Sequence, residues 1–262
     1  MSPTRRLVPA VPLALGLLVG CLHARQPRAA APPEERAVVF VVGGIGGLDP
    51  LQLWAPLTLP HAGVSHEIRV FEWTHGKFRF LRDLQDARHL QTEADRLADK
   101  VGEALARGRP VYLLGHSAGA GLVLAAAGRL PPGSLERVVV LSAAVSPTYD
   151  LRPALRAARG GVVSFHSSCD RFALGWGTSQ FGTVDRAYGP AAGRDGFNEP
   201  ADLDEEGKAL YVRLVQRPWR WGMLLEGCSG THHGPTMPLF LARHVAPWLR
   251  GPVEVGTAPG VR

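Results

Sequence analysis

The chain has 262 residues, of which 45% are hydrophobic and 20% charged. That is long and apolar enough to close one large core, and too poor in charge for a disordered protein. The formal charge is +6, or +4 once Arg5 and Arg6 are discounted as part of a removable leader. What remains is dispersed, with no basic stripe interleaved with aromatics, so nucleic acid is not an expected partner.

Residues 1–20 read MSPTRRLVPAVPLALGLLVG. Two arginines followed by the apolar run Leu7–Gly20 have the layout of a secretory signal peptide. The run is short for a membrane-spanning helix, and Pro9 and Pro12 interrupt it. Leu18-Val19-Gly20-Cys21 resembles the lipobox of bacterial lipoproteins. The resemblance implies diacylglycerol on Cys21, cleavage before it and acylation of the new terminus, hence export and lipid anchoring to the cell envelope. Nothing in the sequence selects which membrane holds the anchor. Residues 21–36, without apolar periodicity, read as a flexible tether, and 37–262 as the folded domain.

Within that domain, Ala37–Val42 is a continuous apolar run suited to a strand buried on both faces, and it ends in the glycine-rich turn Gly43–Gly47. Glu67–Trp73 is a second strand candidate. Between about Leu84 and Arg107, the spacing of Leu90, Ala94, Leu97, Val101 and Leu105 predicts an amphipathic helix, with Gly108 placed to end it. Val111–Leu114 predicts a short strand running directly into Gly115-His116-Ser117-Ala118-Gly119, and Ala120–Leu130 a helix of small residues. Arg137–Val145 and Val162–Ser167 predict further buried strands, with a short helix at Leu151–Arg159 between them. The stretch from Arg171 to about Arg217 reads as an excursion over the carboxyl ends of the strands, with a charged helical patch near Asp202–Val215. A last strand is predicted at Trp221–Leu225 and a closing helix at Met237–Leu249. Alternating strands and helices indicate an α/β fold with a mainly parallel central sheet and helices on both faces.

Chemistry concentrates at a few places. Gly115-x-Ser117-x-Gly119 between a buried strand and a small-residue helix has the pattern of a nucleophile elbow: a sharp turn that projects the serine hydroxyl, with glycines where strand and helix backbones approach. A serine needs a base, and the base an acid that holds its tautomer. Asp170, just past the strand Val162–Ser167, is the leading acid, and Asp150 is the alternative. His232 and His233, in the turn before the closing helix, are the candidate bases; His116 is expected only to line the pocket. The glycine turn also admits a dinucleotide-binding reading with Glu72 on the ribose, but Asp49 stands where that fingerprint needs its third glycine. No cofactor is expected, and no Cys/His spacing fits a structural metal site. If Asp170 and His232 meet, Cys169 and Cys228 are drawn toward one another, and a disulfide between them is expected in an oxidising compartment, two free thiols being the alternative.

Three segments, GHSAG around Ser117, SFHSSCDRFALGWGTSQFGTVD around Asp170 and GTHHGPTMPLFLARHVAPWL at the end, resemble the bacterial α/β-hydrolases of the lipase/esterase branch. The resemblance covers most of Ala37–Leu249 and implies the α/β-hydrolase fold. It selects His232 as base, by a G-x-H-x-G turn, and implies an oxyanion hole from the N–H groups of Ile45 and Ala118. It further implies ester hydrolysis through an acyl-enzyme on a small-molecule or lipid ester. An amidase or acyltransferase with the same residues, or a non-catalytic envelope scaffold, are the alternatives. Phe172, Leu174, Trp176 and Phe181 are candidates for an acyl pocket. The first strand ends in Gly43-Gly44 where many relatives have His-Gly, which leaves the oxyanion donor after that strand open.

Overall fold

Valine-rich, uncharged runs form the centre of the sheet because the sheet is buried on both faces. A computed structural model describes residues 36–251; the leader, Cys21 and nearly all of the tether lie outside them. The strands are β1 (Val38–Val42), β2 (Glu67–Val70), β3 (Val111–His116), β4 (Arg137–Leu141), β5 (Val162–His166) and β6 (Leu214–Pro218). They form one sheet of six strands in the order β2-β1-β3-β4-β5-β6, with every pair parallel.

Alternate residues of each strand enter opposite core layers. Val38, Phe40, Val42, Leu113, Val138 and Val140 pack on one face with Leu90, Leu97, Leu122, Leu155 and Leu210. Val39, Val41, Leu114, Val139, Leu141 and Phe165 pack on the other face with Leu51, Leu59, Phe240, Leu241 and Trp248. Each fully buried Leu, Val or Phe contributes about 1.5–3 kcal/mol. Both layers close within the compact unit Ala31–Arg262.

The helices follow from caps and periodicity. Helix α1 (Pro50–His61) starts where Asp49 accepts the Leu51 N–H at 2.8 Å, with Pro50 in its first turn. The single helix expected over Leu84–Arg107 is two, α2 (Phe80–Gln85) and α3 (Ala87–Ala106). Asp86 divides them, its carboxylate taking the His89 N–H at 2.9 Å as a cap. The predicted apolar stripe is otherwise the buried face of α3. Helix α4 (Ala118–Ala127) begins immediately after Ser117, and α5 (Arg152–Ala157) follows β4.

Beyond β5, the excursion comprises a π-helical turn (Phe172–Gly177), α6 (Thr178–Phe181), α7 (Ala192–Asp195) and α8 (Glu205–Tyr211). The last strand is not at Trp221–Leu225. That segment is a 3-10 turn with Trp221 and Leu225 in solvent, and the strand is β6, which pairs with β5 from Val162↔Leu214 to His166↔Pro218. An edge strand with a single neighbour need not be continuously apolar, so its pairing set its place. The closing helix runs through α9 (Pro238–Phe240), a π-helical turn (Leu241–Val245) and a 3-10 turn (Ala246–Leu249). Pro247, which has no N–H to donate, accounts for the irregular end.

The expected Cys169–Cys228 disulfide is absent: both thiols are free, Cys169 in solvent and Cys228 buried. Cys228 belongs to the core layer beneath the closing helix, and its carbonyl accepts the Trp219 indole N–H at 2.9 Å. A disulfide requires the two Cβ atoms to face one another, and one of these side chains points into the protein while the other points out.

Candidate active site

The site forms where the strand order reverses. Chain order runs β1, β2, β3, but β1 lies between β2 and β3, so the turns after β1 and β3 stand side by side at the carboxyl edge, with Val42 paired to Gly115. Ser117 closes the turn after β3 with φ 56° and ψ −125°. A non-glycine residue held there costs about 1–3 kcal/mol, and the surrounding contacts impose it. The Ser117 N–H is bonded to the Leu141 carbonyl at 3.0 Å, and the Ser117 carbonyl takes the N–H groups of Ala120 and Ala144 at 3.0 and 3.1 Å. The flanking glycines are required by close approach. A Cβ on Gly115 would lie 2.7 Å from the Ala120 Cα, and one on Gly119 only 2.2 Å from the Gly43 carbonyl oxygen. Thus the second glycine makes room for the end of β1 and not for β3 itself.

Ser117, His232 and Asp170 meet in a hydrogen-bonded series. The Ser117 hydroxyl lies 2.9 Å from His232 Nε2, and His232 Nδ1 lies 2.7 Å from Asp170 Oδ2. Since a carboxylate only accepts, Nδ1 carries the proton and Nε2 presents its lone pair to the serine. Asp170 is buried in the turn after β5, where its N–H bonds the Ser167 carbonyl at 2.9 Å and its other oxygen lies 3.3 Å from the Leu174 N–H. Burial lowers the pKa of His232. The hydrogen bond that Nδ1 donates to Asp170 opposes that shift and the nearby charge of His116 adds to it, so the ring is neutral under mild conditions.

The other candidates fall elsewhere. His233 lines the same cavity with part of its side chain open to solvent and makes no hydrogen bond to Ser117; partial burial of its ring, then the charges of His116 and His232, push its pKa down to about 4. Asp150 is bound to Arg152 at the surface, with Arg152 Nε 2.9 Å from its Oδ1, and takes no part.

His116 does not line the pocket. It is fully buried, with Nδ1 2.6 Å from Asp49 Oδ2 and Nε2 3.0 Å from the His232 carbonyl oxygen. Both partners are acceptors, so both nitrogens carry protons and the ring is an imidazolium. Burial opposes that charge, but the Asp49 carboxylate outweighs it and raises the His116 pKa. For Asp49, burial works upward, and the His116 charge with the Gly44 and Leu51 N–H groups outweighs it, holding the carboxyl at about 2. A buried ion pair therefore ties the backbone of His232 to the turn after β1.

That turn is held at two points. Gly44 N–H donates to Asp49 Oδ2 at 2.7 Å and Gly46 N–H to Asp83 Oδ2 at 2.8 Å. Asp83, buried on α2, is itself held by the His75 N–H at 2.7 Å and His75 Nδ1 at 2.8 Å. Between the two anchored glycines, the Ile45 N–H has no acceptor among the described residues. Ala118 opens α4, so its N–H has no intrahelical partner either. Both residues line the same cavity as Ser117. The Gly43-Gly44 departure has a steric cause: a Cβ at position 43 would lie 2.5 Å from the Asp49 Cβ, so Asp49 occupies the room a larger residue would need.

Neither a family model nor a curated protein matches the sequence. Among solved structures, a predicted CIB-like hydrolase from Thermoplasma acidophilum superposes with a TM-score of 0.50 at 13% identity, over 82% of this chain and 87% of that one. This chain has the α/β-hydrolase fold. Esterase PE8 (TM-score 0.47, 16% identity, 76% of this chain and 85% of that one) is among the other similar structures. So is a soluble variant of the Saccharomyces cerevisiae monoglyceride lipase (TM-score 0.44, 13% identity, 85% and 89%).

The cavity in front of Ser117 has a volume of about 450 Å³. Its apolar lining includes Leu48, Phe80, Leu84, Ala173, Leu174 and Phe181. Of the four residues expected to form an acyl pocket, Leu174 and Phe181 line it, whereas Phe172 and Trp176 lie outside in solvent. Sequence reasoning missed Asp49, Asp83 and the buried role of His116. The one available signal was the Asp-Pro pair at Asp49-Pro50, which marks a helix start.

Proposed function

We propose that the protein is a serine hydrolase that cleaves carboxylic esters with an apolar acyl group. The observation that carries this is the Ser117–His232–Asp170 hydrogen-bonded series opening on an apolar cavity. Ser117 Oγ attacks the carbonyl carbon as His232 Nε2 takes its proton. The tetrahedral oxyanion then forms beside the unengaged N–H groups of Ile45 and Ala118. His232 returns the proton to the leaving alcohol, and the acyl group remains on Ser117. Water, deprotonated by the same histidine, releases the acid. Asp170 holds the tautomer and stabilises the imidazolium. An ester of a medium-length acyl chain suits the size and lining of the cavity. The resemblance of Leu18–Cys21 to a lipobox supports, as part of this proposal, export and lipid anchoring to the cell envelope.

Labelling with a fluorophosphonate probe tests the reading. Wild-type protein is expected to label and Ser117→Ala to stay unlabelled at an unchanged melting temperature. An unlabelled, folded wild type would overturn the proposal. Turnover of a panel of esters and amides of graded chain length then defines the substrate.

The pH profile follows from His232. The base acts only when neutral, and its pKa is lowered by burial. Activity is therefore retained as pH falls past 6.5, the ordinary histidine value, and is lost only below the lowered pKa. The acid limb of kcat/KM is expected to have its midpoint below that of a free imidazole; a midpoint above it would contradict the assignment of this ring as base.

A further inference from the structure

The mouth of the cavity is rimmed by large apolar side chains that the fold leaves in solvent. One cavity-lining segment presents Phe78, Phe80 and Leu81 to solvent, and another Phe172, Trp176 and Phe181. Phe80 and Phe181 also line the cavity, so rim and interior form one continuous apolar surface. Phe172 is 80% exposed and Phe78 71%. Phe172 stacks on Trp176 at 5.6 Å between ring centres, and Trp176 meets Phe181 edge-on at 6.2 Å, so the rings support one another in an outward position.

Phe78 adds a second observation. Its φ is 63°, in the left-handed region, where its Cβ is crowded and glycine would be at ease. The backbone is held there by a 3.0 Å bond from the Phe78 N–H to the Gly46 carbonyl. A large ring kept in an unfavourable conformation, and then left in water, contributes little to the fold; its use lies outside the molecule.

The same segments are basic. Lys77, Arg79 and Arg82 are exposed among the apolar residues of the first segment, and Arg171 directly precedes Phe172. Arg186 joins them, its guanidinium on the Gln85 carbonyl at the end of α2. Among the described residues, none of these cations is held in an ion pair by a carboxylate. Nearby Asp83 is buried on Gly46 and His75, and Asp86 faces His75. Aromatic rings set among unpaired cations match the boundary between hydrocarbon and anionic headgroups, where rings sit at the interface and cations meet phosphate.

We propose that the mouth of the cavity docks on an anionic lipid surface, with Phe78, Leu81, Phe172 and Trp176 entering the headgroup layer and Lys77 and Arg79 meeting lipid phosphates. An amphiphilic ester then passes from the lipid into the cavity without crossing water. This delivery rests on the proposed hydrolase activity, whereas the docking does not. An acylated Cys21 would keep the domain near a bilayer, since the sixteen residues from Cys21 to Arg36 reach at most about 55 Å.

The test is flotation of the compact unit, residues 31–262, carrying Ser117→Ala so that no hydrolysis occurs. The vesicles are equimolar phosphatidylcholine and phosphatidylglycerol, or phosphatidylcholine alone. Binding to the anionic vesicles is expected to exceed binding to the neutral ones by about tenfold or more. Phe78→Gly combined with Phe172→Ser should abolish most of it with no fall in melting temperature, since glycine is the better residue for the backbone at position 78. Lys77→Gln with Arg79→Gln should remove the preference for anionic lipid. A folded protein that does not float, or binding unchanged in the apolar double variant, overturns the proposal. So does self-association of the lipid-free protein that the same variant abolishes, because the face then belongs to a second copy. Fluorophosphonate labelling of the wild type reads the hydrolase proposal separately, so either can fail alone.

Discussion

Replacement of His232 by alanine is expected to lower ester turnover by about four to six orders of magnitude, while His233→Ala stays within about tenfold of the wild type. The two histidines are neighbours in one turn, and composition does not distinguish them. Geometry does. His232 Nε2 stands 2.9 Å from the Ser117 hydroxyl and its other nitrogen is fixed on Asp170, whereas His233 lies at the mouth of the cavity without a bond to either. The serine oxygen is a feeble nucleophile while it keeps its proton. Removing the base leaves only the oxyanion donors and substrate binding, hence the size of the loss. Steady-state kinetics on a chromogenic ester, with melting temperatures to confirm folding, makes the comparison. Equal losses in both variants would mean that the pair acts as a unit and that the distances misassign the base.

Asp49→Ala is expected to destabilise the protein by about 3–5 kcal/mol, the cost of leaving a buried charge without its partner, and to depress turnover as well. Asp49 accepts three groups: the Gly44 N–H, the Leu51 N–H and the His116 ring. Its loss orphans all three, uncaps α1 and frees the turn that presents Ile45. His116, left without its carboxylate partner, loosens its hold on the His232 carbonyl, so the change reaches His232 through the backbone. For a domain of this size the melting temperature should fall by roughly 10 °C; a fall of a degree or two would mean that the pair is replaced by water at little cost. Asp49→Asn keeps one carbonyl acceptor and should lose less.

The same pair sets a pH signature of stability. Asp49 has a lowered pKa, about 2 in the folded protein against 3.8 ordinarily. Its contribution, roughly 2 kcal/mol, is present above 3.8 and is lost as pH falls toward 2. His116 has a raised pKa, so its contribution is full below 6.5 and disappears as pH rises through the folded value.

Much of the architecture was legible along the chain because its signals are local. The valine runs of β1, β4 and β5 need no partner to declare a strand buried on both faces, and the spacing of Leu90, Ala94, Leu97 and Val101 declares the inner face of α3. Gly115-His116-Ser117-Ala118-Gly119 is likewise local: the steric demand of a turn between strand and helix is written into adjacent residues. Asp170 and the two histidines could be nominated from their positions after strands, but the choice between His232 and His233 depends on which way one turn faces. Only in the packed structure is it seen that the His232 ring lies against Ser117.

The remainder depends on which elements lie side by side. β6 is a strand because β5 offers it an edge, and Trp221–Leu225, more apolar, is not, because no strand stands beside it. The thiols of Cys169 and Cys228 stay free because one side chain faces solvent and the other faces the core. Asp49 looked like a residue out of place in a glycine turn. It became the anchor of the site only when β1 came to lie against β3 and brought His116, sixty-seven residues away, within 2.6 Å of its carboxylate. Thus the sequence by itself determined the buried strands, the main helices and the sharp turn at Ser117, since those follow from the chemistry of neighbouring residues. The tertiary structure decided which histidine meets Ser117, where the edge strand lies and which buried charges brace the site, since these depend on long-range contacts that no local pattern encodes.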